Sequence, residues 1–403
     1  MKKIFSLGDF YVSDFVKEQN PLKKKYELDI CLDENGTAKM SSQPPAEDMW
    51  GKYWYRSGTN QTMTRELKEV VDSCLEIHKP SEKNIWLDIA CNDGTLLRQI
   101  PESFEKYGVD PADNSFYEES SKHAKVYQDY FSKEILPKDF KADIITTIAM
   151  FYDLQEPQKF IKDVYECLKD NGLWCVQMSY TPLMVKQVAY DNLCHEHACY
   201  YSLTDFKKLM EQNGFLVLDC TLNDANGGSF RVFMRKDISN ERMFGTQQKR
   251  DIYKFNVESL LEYEKKLGVS TEKYWKKFYK DIRKLKKETL SFLKKCKKEN
   301  KIVYGYGAST KGNTLLQYFG IDKLLIPYIV ERSSYKFGLK TVGTDIPIIS
   351  EEEMREKMPD YLFVLPWHFI DEFVQRENQF LDNGGKFVVP CPKFEIIGKS
   401  ENK

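Results

Sequence analysis

Residues 84–97 read Asn-Ile-Trp-Leu-Asp-Ile-Ala-Cys-Asn-Asp-Gly-Thr-Leu-Leu. An apolar run ending in an acidic residue, then small and polar residues, then Gly94, predicts a buried strand, a tight turn and a helix start. Small residues in the turn let a ligand approach the backbone amides, and in doubly wound sheets ligands lie outside the carboxyl ends of the strands. The stretch Tyr107-Gly108-Val109-Asp110-Pro111 follows as a second strand whose closing carboxylate can accept from two ribose hydroxyls. Asp129 and the run Ala142–Ile148 continue the alternation. Apolar runs alternating with helical segments predict an α/β fold, doubly wound, over residues 61–238.

The rest of the chain divides around this domain. Residues 1–60 read as an irregular N-terminal part, with Ser-Ser-Gln-Pro-Pro as a loop marker. Residues 239–300 read as a charged helical connector, and residues 301–403 return to strand–turn–helix alternation, a second α/β domain. In the connector Trp275, Phe278, Ile282, Leu285, Leu290 and Leu293 recur at helical spacing, so its lysines read as a solvated face.

With 403 residues, 41% hydrophobic and 14% aromatic, the chain can bury several cores. Its 60 basic and 61 acidic residues nearly cancel, which argues against a nucleic-acid partner. No apolar run reaches the roughly 18 residues of a membrane span. The opening MKKIFSLGDFYVSDF lacks the apolar stretch of a signal peptide. The ten cysteines have no paired spacing and read as free thiols, consistent with a cytoplasmic protein, a monomer or homodimer.

A dinucleotide site would favour G-x-G-x-x-G in the first turn. Here Asn92-Asp93 stand in place of glycine. Polar residues without a pyrophosphate cradle suit S-adenosylmethionine, with Asp88, Ala90, Asn92, Gly94, Asp110 and Asp129 as the candidate cofactor residues.

Of only five histidines, two fall in Asp191-Asn192-Leu193-Cys194-His195-Glu196-His197. Histidine titrates near neutrality, and Glu and Tyr commonly tune it, so the cluster is a candidate for proton transfer. The residues alone leave open a structural pair satisfied by backbone groups. They also leave open a metal site, for which no third ligand at suitable spacing is visible.

The strings IAMFYDLQEPQKFI, LKDNGLWCVQMSY, YDNLCHEHACYYSL and GYGASTKGNTLLQYFGI resemble the nucleotide-sugar C-methyltransferases, over nearly the whole chain. The resemblance implies that His197 is the general base, with Glu196 and His195 beside it. It implies that the segment Tyr53–Asn60 delivers a tyrosine over the sugar, Tyr55 being the choice for catalysis and Tyr53 for substrate contact. It places Asn192, the turn before Ser229 and Arg231, and Tyr306, Ser309, Lys311 and Asn313 near a nucleotide-sugar substrate, Lys311 close to phosphate. It implies that the second α/β domain, residues 301–403, is Rossmann-like.

Two departures from the family stand out. The usual N-terminal zinc module of paired cysteines is reduced to Cys31, so no metal is expected. Cys194 stands where some members have tyrosine, and no histidine occurs near Met150-Phe151-Tyr152. The alternatives are O- or N-methylation of a related sugar nucleotide, an NAD-linked oxidoreductase built on the glycine turn Gly305-Tyr306-Gly307, and a non-catalytic binding protein.

Overall fold

The computed structural model describes residues 1–20, 23–50, 53–79, 84–238 and 246–399. The chain divides into two compact units. One comprises Trp50–Pro182 and Ala198–Val269, the other Met1–Met49, Leu183–His197 and Ser270–Lys403.

The first unit is built on a seven-stranded sheet. In spatial order its strands are Phe215–Asn223, Ser229–Lys236, Leu168–Ser179, Ala142–Ile148, Asn84–Ile89, Phe104–Val109 and Lys125–Tyr127. Only Ser229–Lys236 runs antiparallel to its neighbours. Asn84–Ile89 pairs with Phe104–Val109 on one side and Ala142–Ile148 on the other, so the strand order reverses at its carboxyl end. That reversal is where the fold leaves a crevice for a ligand. The core beneath includes Trp86, Ile144, Leu173 and Phe233, packed on the apolar face of helix Gln61–Ile77 through Leu67, Val70 and Cys74. The α/β doubly wound expectation holds here. The helix expected directly after the 84–97 turn is instead a single 3₁₀ turn, Leu97–Gln99. Pro101 explains this, because the residue before proline is pushed out of helical backbone and Ile100 is extended.

The second unit carries a six-stranded sheet in the order Ile348–Ser350, Ile329–Glu331, Val303–Tyr306, Tyr361–Val364, Lys386–Val389, Glu395–Ile397. Its first five strands are parallel and the last is antiparallel. Here too the order reverses, at the carboxyl end of Val303–Tyr306. The N-terminal part is not irregular. Lys2–Phe10, Tyr26–Leu32 and Ala38–Met40 form antiparallel strands. The first turns Phe5, Leu7 and Phe10 inward, an alternation broken by the bulge between Ser6 and Asp9 and therefore hard to read in sequence.

The expected connector is divided rather than continuous. Helix Gln247–Leu267 belongs to the first unit and helix Glu272–Lys298 to the second, with Gly268 in left-handed backbone closing the former. The expected boundary at 238–239 meets residues outside the described set. The apolar face of Glu272–Lys298 runs through Trp275, Phe278, Ile282, Leu285, Thr289, Leu293 and Cys296. Thr289 takes the place expected of Leu290, because the true helical step from Leu285 falls there. Among the described residues no helix is long and apolar enough to cross a membrane.

His78, just past helix Gln61–Ile77, shows what burial does to an imidazole in this fold. It is 6% exposed, and burial and then Arg235 push its pKa down to about 4. Below about pH 6.5 the unfolded chain protonates this histidine and the folded chain does not, so stability falls with pH between those values. From pH 7 to pH 5 this one group should cost about 2 kcal/mol. Denaturant midpoints of His78→Gln should move correspondingly less over that interval than those of the parent. Equal movement would show that His78 titrates normally.

Candidate active site

In the first unit, the turn after Asn84–Ile89 holds Ala90 at φ +61°, Asn92 at φ +52° and Gly94 at φ +76°. The left-handed conformations that glycine usually supplies are kept although only Gly94 is glycine, and asparagine tolerates them best among the rest. A Cβ on Gly94 would lie 2.7 Å from Ser120 Cα, so that position has room only for glycine. Asp93 closes the turn by accepting from Thr95 N and Oγ1 on Oδ1.

Asp110, ending the second strand, grips this turn. Its Oδ2 accepts from Asn92 N at 2.7 Å and its Oδ1 from Ala112 N at 2.9 Å. Each carboxylate oxygen keeps a lone pair for a further donor. Burial raises its pKa and the two amide bonds oppose that. Asp88 is buried deeper, where Oδ1 accepts from Thr146 Oγ1 at 2.7 Å, and burial raises its pKa to about 7. Asp88 therefore braces two strands from within the sheet. Asp129 lies beyond its strand, exposed, and accepts from Tyr130 N.

The Tyr53–Asn60 segment reaches the same turn. The Asn92 side chain donates to Tyr55 O at 3.0 Å and accepts from Ser57 N at 3.0 Å, and Asp93 accepts from Gly58 N. The carboxamide of Asn92 is thus committed to holding this loop. Tyr55 itself is 37% exposed, and Tyr53 rests against Phe116. Ser229 and Arg231 are not brought to this turn. Ser229 Oγ donates to Ala225 O, and the buried Arg231 guanidinium binds Gln177, Ser73 and Glu69 O. Ser229 and most of the Arg231 guanidinium serve the fold's own hydrogen bonds, with Arg231 Nη2 buried and unpartnered.

In the second unit, the segment Leu183–His197 joins the reversal point of the C-terminal sheet. Lys311 Nζ donates to Asn192 Oδ1 at 2.7 Å, and Trp367 Nε1 donates to both Asp191 oxygens at 3.2 and 3.3 Å. His197 is 5% exposed, and its ring donates to the main-chain carbonyl of Asn192. A carbonyl can only accept, so this bond fixes the tautomer and leaves the other ring nitrogen with its lone pair. Burial and the Lys311 charge hold the His197 pKa well below the usual histidine value. Glu196, beside it, is raised by burial, accepts from the Cys194 thiol, and leaves Oε2 with no partner. His368, at the end of strand Tyr361–Val364, is pushed down to about 3 by burial and Lys311, with Nδ1 unpartnered.

His195 is set apart from this group. Its Nε2 donates to Tyr26 O at 3.1 Å, tying the segment to the N-terminal strands. Gln43 adds to that tie by donating to the carbonyls of His195 and Glu196. Two residues apart in sequence, the two histidines thus divide: His195 ties the segment to the N-terminal strands and His197 bonds within its own segment.

The glycine turn of the same sheet is internally satisfied. Glu331 Oε2 accepts from Ala308 N and faces Lys336, and its Oε1 accepts from Arg332 N and Ser333 N. Ser309 caps helix Thr310–Phe319 by accepting from Gly312 N. The Tyr306 hydroxyl is buried among Glu351, Glu377 and Arg376. Tyr306 and Ser309 therefore serve the fold rather than the Lys311 group. Asn313 is buried, donates to Asp14 O at 3.3 Å and leaves Oδ1 without a partner. The pairing of Asp191 with Trp367 carried no local signal, since they meet across 176 residues of chain.

All ten cysteines are free and buried. Among the described residues no group of three or more His, Cys, Asp or Glu side chains is arranged to hold a metal ion.

The family C-methyltransferase C-terminal domain matches residues 224–392, and a methyltransferase domain matches residues 59–219. C-methyltransferase NovU of Streptomyces niveus is 26% identical over 363 residues, covering 87% of this chain and 82% of its own. Among solved structures, an S-adenosylmethionine-dependent methyltransferase of Clostridium acetobutylicum is 14% identical, with a TM-score of 0.35, covering 43% of this chain and 92% of its own. One from Aquifex aeolicus is 20% identical, with a TM-score of 0.30, covering 42% and 97%. With the doubly wound turn in place and both domain families matched in order, the chain carries a methyltransferase domain followed by a C-methyltransferase C-terminal domain.

Proposed function

We propose that this enzyme methylates a carbon of a nucleotide-linked keto-deoxysugar, with His197 as the base that removes the acceptor C–H proton. The observation that carries the reading is the state of His197. It is buried, burial and the Lys311 charge hold its pKa well below the usual histidine value, and its ring is tied to the Asn192 carbonyl. A C–H of a sugar is too weak an acid for such a base unless a carbonyl stands next to it, so the acceptor is a ketone and the proton leaves as an enolate forms.

S-adenosylmethionine supplies an electrophilic methyl group, so the acceptor carbon needs only to be made nucleophilic. Asp110, Asn92, Ala90 and Gly94 would hold that cofactor. The left-handed turn exposes backbone, and Asp110 keeps a lone pair on each oxygen for ribose hydroxyls. Asp110→Ala should weaken S-adenosylhomocysteine binding by about 10- to 100-fold, the worth of hydrogen bonds to a charged group. Calorimetric titration measures it, and an unchanged affinity would place the ribose elsewhere.

The reading is tested in deuterated water with a 4-keto-6-deoxyhexose carried on thymidine or uridine diphosphate. The protein should exchange the C–H next to the ketone for deuterium and yield a product one methyl heavier on carbon. Methylation without exchange would indicate O- or N-methylation instead. For NAD-linked chemistry the glycine turn would need a ribose acceptor at Glu331, and three backbone amides and the facing Lys336 already occupy that carboxylate.

A further inference from the structure

We propose that Lys311 is a catalytic residue that carries the oxygen of the enolate, with Asn192 positioning both this cation and the base His197. The assignment rests on the reading of the reaction given above and gives Lys311 a different task from phosphate binding.

One residue holds both groups. The side-chain oxygen of Asn192 accepts from Lys311 Nζ at 2.7 Å, while its main-chain oxygen accepts from the His197 ring. Asn192 is itself fixed in a 3₁₀ turn, Tyr190–Asn192. Its amide bonds Ala189 O at 3.2 Å, and its carboxamide nitrogen bonds the same oxygen at 3.3 Å. Base and cation are therefore held at a set spacing, as proton removal next to a carbonyl requires.

The glycine turn is poorly equipped for phosphate. A phosphate cradle uses free backbone amides at the turn and helix start. Here Gly307 N bonds Val330 O, Ala308 N bonds Glu331, Ser309 N bonds Gly307 O, and Gly312 N bonds Ser309 Oγ. The ammonium also shares its surroundings with Asp191 and Glu196, whose carboxyls both feel its charge.

The step balances without a further reactant. The imidazole of His197 takes the proton, and the C–H electron pair becomes the carbon–carbon double bond. The carbonyl π pair moves to oxygen, where Lys311 meets the charge. Removing one such donor typically slows the chemical step by about 10²–10³.

The test uses the full chain and follows deuterium exchange by NMR, with a thymidine-diphosphate 4-keto-6-deoxyhexose at saturation and no methyl donor. Lys311→Met should slow exchange about 100- to 1000-fold and leave affinity for thymidine diphosphate within about threefold, whereas Lys311→Arg should recover part of the rate. The acid limb of the exchange profile should move to higher pH in Lys311→Met. The charged group acting on His197 is Lys311, with Glu196 next in chain and Asp191 and His368 coupled to the same ammonium. Exchange intact at saturation with lost nucleotide affinity would make Lys311 a phosphate ligand and overturn the assignment. Should Lys311→Met fail to fold, Asn192→Ala keeps the cation and should slow exchange in the same way. An unchanged rate there would equally overturn it. A parent protein that exchanges no C–H on any keto sugar would remove the reaction itself, and this assignment with it.

Discussion

His197→Ala should lower carbon methylation by about 10²–10⁴, the range for a positioned general base, with affinity for S-adenosylhomocysteine within about twofold. The cofactor turn belongs to the other compact unit, so its backbone does not depend on this ring. Deuterium exchange at the acceptor carbon should fall by the same factor, because the base acts before any methyl moves. His197→Gln keeps a donor to the Asn192 carbonyl but cannot accept the proton. It should be as inactive as alanine and more stable. The sign of the pH dependence follows from the direction of the pKa. The base works when neutral, and burial with the Lys311 charge holds its pKa below the usual value. Activity should therefore be flat through neutral pH and fall only below the ordinary histidine range. Exchange that persists in His197→Ala would assign the base elsewhere, with His368 and Glu196 the next groups to remove.

Glu264→Ala should be the most destabilising single change in the first unit, by about 3–5 kcal/mol, the range for breaking a buried charged network by removing one partner. This carboxylate is 1% exposed on helix Gln247–Leu267. It accepts from Leu203 N at 2.6 Å, Thr204 N at 2.8 Å, Thr204 Oγ1 at 2.5 Å and Tyr180 Oη at 2.7 Å. Two of those donors are first-turn amides of helix Leu203–Gln212, which have no partner within their own helix, and an anion there is favoured by the helix dipole. Burial raises the Glu264 pKa and the four hydrogen bonds oppose it. Removing the side chain leaves the buried donors Leu203 N and Tyr180 Oη without their acceptor, together with the two donors of the exposed Thr204. The unfolding midpoint should drop by about 6–20 °C at the two to four degrees per kcal/mol of a unit this size. Hydrogen exchange in Leu203–Gln212 should speed up before the rest of the sheet opens. Glu264→Gln, which still accepts, should lose much less. A midpoint within two degrees of the parent would mean that water replaces the carboxylate.

The cofactor turn was legible because its rules are local. Strand, small-residue turn and closing acid lie within one short stretch, and Asn92 and Gly94 are residue types that left-handed backbone selects. The lysine-rich helix was legible for a similar reason, since Trp275 to Leu293 recur at its own period. The N-terminal strands were not, because a bulge interrupts their alternation and the short strands pair across loops. The roles of Asn192 and Glu264 were not either. Nothing about a lone asparagine or a glutamate in a charged helix marks it as the centre of a polar network.

The sequence by itself determined that this chain has two α/β sheets, each with a turn after its first strand, and it singled out Asp191–His197 as the segment proposed for proton chemistry. Periodicity and turn propensity act over a few residues, so they survive in a linear reading. Only the tertiary structure decided that Leu183–His197 folds with the C-terminal sheet rather than with the domain on either side of it in sequence. It also decided that His195 is tied to Tyr26 while His197 is tied to Asn192, and that Asn192 also meets Lys311. Those outcomes turn on which buried donors and acceptors find partners, and a partner is chosen by proximity in space.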